Sequence, residues 1–204
     1  GYLLGALVVP LLLRRTSPSA LFVAGGWLAA VIMAASGFFS ESWALMAQRL
    51  VAGVASALVF ISGGLLSARL AALDAGRGGL LLGLYYGGTG FGITASALAV
   101  PWLLEWGALR PPAWTWAWWG LAVLCALAVA CTAWPARVLA AQAAAEARAA
   151  PPGPSPPRAL RWRDMGWGLA GYSLFGVGYI GYMTFSVALL REQGLSAGGI
   201  TLYY

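Results

Sequence analysis

Residues 43–67 read WALMAQRLVAGVASALVFISGGLLS, a run in which Arg49 is the single charge. At 1.5 Å per residue it makes a helix of about 37 Å, enough to cross a hydrocarbon layer about 30 Å thick. Its apolar residues are continuous and do not alternate, which predicts a helix and not a barrel strand, because each backbone must satisfy itself in lipid. Comparable runs occupy 20–39, 80–104, 114–134 and 165–190, and a shorter one occupies 1–13.

Composition points the same way. The chain is 61% apolar and 9% charged, whereas soluble domains carry roughly 25% charge. Mean hydropathy is +0.79. A soluble fold of this length needs a polar exterior that these residues do not supply. The expectation is an all-α fold, a polytopic transmembrane helical bundle with the lipid bilayer as its surroundings.

The net charge of +6 comes from twelve Arg, with no Lys and no His. Nine of the arginines fall in alternate connections: Arg14 and Arg15, then Arg69 and Arg77, then Arg137, Arg148, Arg158, Arg161 and Arg163. The intervening connections hold only Arg110 and Arg191. The positive-inside rule makes the nine-arginine side cytoplasmic. A nucleic-acid partner is not expected, since the charge is divided among loops and forms no basic face.

The connection 135–164 is the one long loop. Residues 135–150 read as an alanine-rich helix continuing from the span before, and 151–157 as an extended proline-rich spacer. Arg158–Asp164 then forms a basic approach with Trp162 at headgroup level. The loop suits a plain linker, with a docking site as the alternative. The domain division is thus 1–134, a linker 135–164, and 165–204. The run 1–13 is too short to span, has no basic segment before it and shows no cleavage site, so the chain is expected to begin partway through a helix. Tyr203–Tyr204 is expected to lead into another.

Within the spans, Arg49 stands about 10 Å below the outer end of its helix. An intramembrane Arg faces a cavity or a partner charge, or it snorkels to the interface. Gln48 adds a polar group at the same depth, and Arg49, Gly53 and Ala57 follow one another at spacings of four. Small residues so spaced let another helix approach closely. Gly83/Gly87 and Gly88/Gly92 repeat that spacing in the next span, beside Tyr85 and Tyr86, whose hydroxyls line a cavity or pack an interface. The last span carries Gly176, Gly178 and Gly181, a formal GxGxxG match. It follows no strand and sits in an apolar run, so a dinucleotide site is excluded. Tyr172, Tyr179, Tyr182 and Thr184 decorate the same helix and are candidates for contact with a polar solute. Trp102, Trp106, Trp114, Trp116, Trp118 and Trp119 gather at the outer ends of two spans, as an interfacial belt predicts, with carbohydrate stacking as the alternative. Cys125 and Cys131 lie about 240° apart around one helix and cannot pair. No metal site or cofactor is expected. An intramembrane enzyme would need paired carboxylates, a His, or a Ser with a base, and the spans offer none.

The motifs, taken in order, resemble the major facilitator superfamily of secondary transporters. Arg49-xxx-Gly53 is similar to its fourth-helix motif, and the run Gly83–Gly92 with Pro101 to its fifth. Gly1-Tyr-Leu-Leu-Gly5 leading to Arg14-Arg15 is similar to its second helix and following loop, although the usual acid of that loop is absent. Tyr172 to Phe185 resembles the seventh helix of the YbfB/YjiJ-type branch. The resemblance implies that the chain covers helices two to seven of a twelve-helix fold. It also implies transport of a small organic solute by alternating access, coupled to protons, with Arg49 in coupling and Arg14 and Arg15 in gating. A high-GC composition, rich in Ala and Arg and free of Lys, points to a bacterial cytoplasmic membrane. A membrane sensor or scaffold that does not transport is the alternative, and a large soluble signalling domain in flanking sequence would distinguish it.

Overall fold

A computed structural model of the chain describes residues 1–74, 76–108, 112–149, 162–195 and 199–200, without the side chains of residues 147, 162–165, 180, 183 and 184. The proline-rich spacer 151–157, the Arg158 and Arg161 positions, Arg110 and Tyr203–Tyr204 lie outside the described residues, as does the side chain of Thr184. Two compact units are present, Gly1–Ala150 and Pro151–Tyr204.

The first unit contains α1 (Tyr2–Leu12), α2 (Pro18–Ser36), α3 (Ser42–Leu73), α4 (Gly78–Gly107) and α5 (Ala113–Ala149); the second contains α6 (Trp162–Glu192). No strand occurs among the described residues. Four helices are long and apolar enough to cross a membrane by length and composition: Pro18–Ser36, Ser42–Leu73, Gly78–Gly107 and Ala113–Glu146. The fold is therefore an all-α membrane bundle.

Local chemistry sets the ends. Ser17 caps α2 by accepting a bond from the Ala20 amide at 3.3 Å, and Pro18 occupies the first turn, where its missing N–H costs nothing. α3 runs six residues past the expected end of its span, so Arg69 lies on the helix and not in a loop. It stops at Asp74, whose carbonyl accepts from the Arg77 amide at 3.1 Å. The Asp74–Arg77 ion pair at 3.8 Å is exposed and adds little to stability. α5 continues unbroken through Pro135 into the alanine-rich segment, making one helix of 37 residues. Pro10 and Pro101 are likewise accommodated inside α1 and α4.

The distribution of side chains is that of a bundle solvated by lipid. Many large apolar residues point outward, with Phe91 78% and Met46 76% exposed, while the core is rich in Ala, Gly and Ser around Val9, Leu21 and Leu58, with Val9 its largest fully buried side chain. Where lipid surrounds a bundle, hydrophobicity does not drive helices together, and close backbone approach does. α2 shows how. It packs against both α3 and α5. A Cβ on Gly25 would stand 2.6 Å from Leu58 Cβ and 3.1 Å from the Ala55 carbonyl oxygen, both on α3; a Cβ on Gly26 would stand 2.6 Å from Val129 Cγ2 on α5. α1 crosses α3 in the same manner, with Gly5 against Ala57 and Gly53 against the backbone of Gly1 and Tyr2.

The far end of α2 is tied to α5 by hydrogen bonds. Trp119 Nε1 donates to the Ala34 carbonyl at 3.2 Å, and Thr115 Oγ1 donates to the Gly37 carbonyl at 3.1 Å. The Gly37 carbonyl lies past the helix C-terminus, where a bare acceptor is costly in a membrane, while the Ala34 carbonyl also accepts from the Gly37 amide at 3.1 Å. Phe38, Trp119, Trp116 and Trp106 then form a chain of tilted and edge-to-face rings with centroids 5.2–5.3 Å apart. The tryptophan belt thus divides: Trp102, Trp106 and Trp114 are exposed, whereas Trp116, Trp118 and Trp119 are half-buried.

Three stability outcomes follow. Gly25→Ala should destabilise the purified protein by about 1–3 kcal/mol through overpacking, and by more than Gly26→Ala, because its obstruction includes backbone. Gly88→Ala, where a Cβ meets nothing within 4 Å, should be neutral or slightly stabilising. Thermal unfolding in detergent checks the order. Thr115→Val should cost about 1–2 kcal/mol by stripping the Gly37 carbonyl of its donor, and an unchanged melting curve would remove that bond from the account.

Candidate functional site

α2, α3 and α5 enclose a groove of about 500 Å³, to which α4 contributes Thr89. On α2 its lining runs from Phe22 to Ser36 and on α5 from Trp118 to Thr132, in each case about 21 Å of helix. That is roughly two-thirds of a hydrocarbon core about 30 Å thick. The walls are mainly small and apolar, with Ala29, Ala52, Val59 and Ala128 among them. The lining repeats every three or four residues on each helix, so one face of α2, one of α3 and one of α5 converge.

Arg49 is the one charged residue in this lining. Its guanidinium carbon lies 4.7 Å from the centroid of the Trp118 ring. Arg49 makes no ion pair or hydrogen bond among the described residues. On insertion scales an Arg at the centre of a membrane helix costs roughly 2.5–3.5 kcal/mol, and Arg49, exposed and two turns into α3, costs less than that. A cation–π contact with Trp returns about 1–2 kcal/mol, depending on desolvation. Trp118 therefore offsets part of the cost and fixes the guanidinium over its ring, while the five N–H donors stay unspent.

The hydroxyls of the groove divide into two groups. Ser36 Oγ donates to the Ile32 carbonyl at 2.9 Å, and Thr132 Oγ1 to the Ala128 carbonyl at 2.9 Å, so both protons are engaged within their own helices. Ser56 and Thr89 are exposed to the groove, and among the described residues their hydroxyls have no partner. The site thus offers a fixed cation and two free hydroxyls on an otherwise apolar wall.

The other residues singled out by the sequence are distributed differently. Gln48 is buried and off this lining, and its Oε1 has no hydrogen-bond partner among the described residues. Tyr85 donates its hydroxyl to the Phe60 carbonyl at 2.8 Å and packs beside Gly63, which joins α4 to α3. Tyr86 meets the Tyr85 ring edge-on at 5.1 Å and the Phe60 ring at 5.7 Å. Of these three rings only Phe60 reaches the groove. Gly83, Gly87, Gly88 and Gly92 have nothing within 4 Å of a built Cβ, whereas Gly78 and Gly107 at the ends of α4 are closely packed, as is Gly120 of α5 against Leu103 of α4. Arg14 and Arg15 are exposed in the turn after α1, their amides bonded to the Leu11 and Leu12 carbonyls.

In the second unit, Tyr172, Phe175, Tyr179 and Tyr182 follow at helical spacing on α6 and share one face. The Phe175 and Tyr179 rings stack at 5.7 Å with 20° between planes. Gly176 and Gly178 on the same helix have open space around a built Cβ. The residues that the sequence reading did not bring to Arg49 are Trp118 and Thr89, whereas Ser56 stands alongside the Arg49-Gly53-Ala57 stripe in the sequence itself. Trp118 was visible only as one of a tryptophan cluster; the Thr89 hydroxyl carried no distinguishing signal.

No curated protein and no solved structure matches the chain. The family model described as "Uncharacterised MFS-type transporter YbfB" matches residues 1–203, nearly the whole sequence. With its helical membrane architecture and its groove of converging spans, the chain belongs to this family of MFS-type transporters.

Proposed function

We propose that the chain forms part of a secondary active transporter that moves a small organic solute by alternating access, coupled to protons. The supporting observation is the groove itself: a membrane-embedded cavity of about 500 Å³ holding a single cation on an aromatic ring. A purely structural seam would have little reason to retain a guanidinium whose cost Trp118 only partly offsets. In this reading residues 1–134 and 165–204 belong to the two halves of an alternating-access transporter, and 135–164 links them. Tyr172, Tyr179, Tyr182 and Thr184 are the candidates for solute contact carried by α6 itself. The arginine-rich connections face the cytoplasm of a bacterial cell, with Arg14 and Arg15 at the gate on that side.

Coupling constrains what Arg49 does. Arg49 contributes positive charge and hydrogen-bond donors. It acts by favouring negative charge on whatever group faces it.

Flux into proteoliposomes, driven by an imposed pH gradient and screened across small organic solutes, tests the reading. Solute movement that follows the gradient and collapses with a protonophore is the expected result; no gradient-dependent flux of any solute would sink proton coupling. Arg49→Ala should lower that flux by at least about tenfold, equivalent to about 1.4 kcal/mol, in protein that still inserts and melts cooperatively. Tyr179→Phe and Tyr182→Phe should each raise the apparent KM while preserving expression. Unchanged kinetics in both would remove these tyrosines from the pathway.

A further inference from the structure

Tyr85 reaches α3 at one rung of its backbone ladder. We infer that this rung is a hinge about which the inner ends of α3 and α4 pivot together, with the Tyr85 hydroxyl as its latch. That hydroxyl donates to the Phe60 carbonyl at 2.8 Å, the carbonyl that the Gly64 amide takes as its acceptor in a regular helix. The Gly64 amide also faces the same phenol oxygen. A side chain that inserts into the ladder in this way is one of the identifiable causes of a helix bend.

The residues at the rung resist bending little. Gly63 and Gly64 stand side by side there, and each Gly weakens a helix by about 1 kcal/mol relative to Ala. Gly63 is also required for the contact, because a Cβ on it would stand 2.5 Å from the Tyr85 hydroxyl and 3.0 Å from Phe22 Cε2. Beside them Ser62 is fully buried, and its Oγ has no partner among the described residues. Ser36 and Thr132, by contrast, bond carbonyls of their own helices. A polar group left buried and unpaired costs about 1–3 kcal/mol, so the latched arrangement is not the polar optimum of this rung. On α4 the bend is absorbed by Gly83, Gly87 and Gly88, which flank Tyr85 and whose built Cβ positions meet nothing within 4 Å.

The glycine contacts that seat α3 lie outward of the rung: Gly25 of α2 against Ala55 and Leu58, and Gly5 of α1 against Val54 and Ala57. Inward of it, Leu66, Leu70 and Leu73 of α3 line a cavity of about 490 Å³ with Leu139 and Gln142 of α5. A Cβ on Gly78 would stand 3.1 Å from the Ala71 carbonyl oxygen, so the first turns of α4 follow that end of α3. A bend of about 20° acting on the stretch from Gly64 to Leu73, about 14 Å of helix, moves its tip by about 5 Å. The motion widens the cavity between α3 and α5 and leaves Arg49 on Trp118, outward of the hinge. That this cavity is the inner mouth of a solute path rests on the transport reading; the pivot itself does not.

The test places spin labels on the intact transporter in lipid nanodiscs, with Cys125 and Cys131 replaced by Ser, and reads distances by pulsed electron double resonance. One pair, Ala68→Cys with Ala144→Cys, spans the inner ends of α3 and α5, and the other, Met46→Cys with Val123→Cys, spans their outer parts; all four positions are exposed. Tyr85→Phe keeps the ring and removes the hydroxyl, and it should add a second inner-pair distance shifted by about 5 Å, with the outer pair unchanged. Gly64→Ala, Gly83→Ala and Gly87→Ala added together to Tyr85→Phe should restore a single inner distance, since alanine stiffens both helices at the pivot. In the unlabelled wild type, hydrogen exchange over residues 61–66 should run at least about tenfold faster than over 52–58 of the same helix. Inner distances in Tyr85→Phe that match the wild type, inner and outer pairs loosened alike, alanines that fail to restore a single distance, or even protection along α3 would each overturn the hinge. Should Tyr85→Phe fail to insert, the exchange comparison decides alone. A pivot seen in protein that carries no solute into liposomes would leave the hinge standing and defeat the transport reading alone.

Discussion

The Gly25–Gly26 pair on α2 is the contact on which the first unit depends. The two residues point about 100° apart around the helix, so one offers bare backbone to α3 and the other to α5. With lipid outside as apolar as the interior, packing relies on how closely such surfaces approach. Any side chain at either position would wedge α2 away from a neighbour. The hydrogen bonds of Trp119 and Thr115 to the end of α2 then fix the distance at the outer end of the same seam. One helix is thus clamped to two others near its middle and at its end.

The groove is a consequence of that clamp. α3 and α5 are both seated on α2, and their remaining faces converge over it, which brings Arg49 of α3 onto Trp118 of α5. The two residues are 69 positions apart in sequence, and their meeting depends on the angle at which each helix meets α2. Tyr85 performs a comparable service on the other side, anchoring α4 to the Phe60 carbonyl and bringing Thr89 to the groove. Packing at glycine, capping by side chains and exposure of a cation are therefore successive effects of one arrangement.

Much of the architecture was legible beforehand because its cause is local. The runs 20–39, 43–67 and 80–104 correspond to Pro18–Ser36, Ser42–Leu73 and Gly78–Gly107. The run 114–134 with its alanine-rich continuation corresponds to Ala113–Ala149. Arg49 stood out for a similar reason, since a charge inside an apolar run is conspicuous without any neighbour. The glycines were less informative. Spacings of four exist in α4 as in α3, but a spacing shows only that a smooth stripe exists and not what lies against it. The adjacent pair Gly25–Gly26 has no such spacing, yet other helices touch it as closely as α1 touches Gly53. The tyrosines of α4 looked like candidates for a polar solute, and the structure shows one of them donating to a backbone carbonyl.

By itself the sequence determined the membrane class, the helical spans, the alternation of arginines between connections and the presence of one costly intramembrane cation. Each of these follows from hydrophobicity or charge counted along the chain, quantities that do not depend on where other segments lie. Only the tertiary structure decided which face of α3 is turned to a groove, that Trp118 leaves the tryptophan belt to hold Arg49, and that the hydroxyls of Ser56 and Thr89 open beside it. Those outcomes depend on crossing angles and rotations set by backbone contact at particular glycines. A residue's place on a helix fixes its angle to its own neighbours, and packing alone fixes what that angle faces.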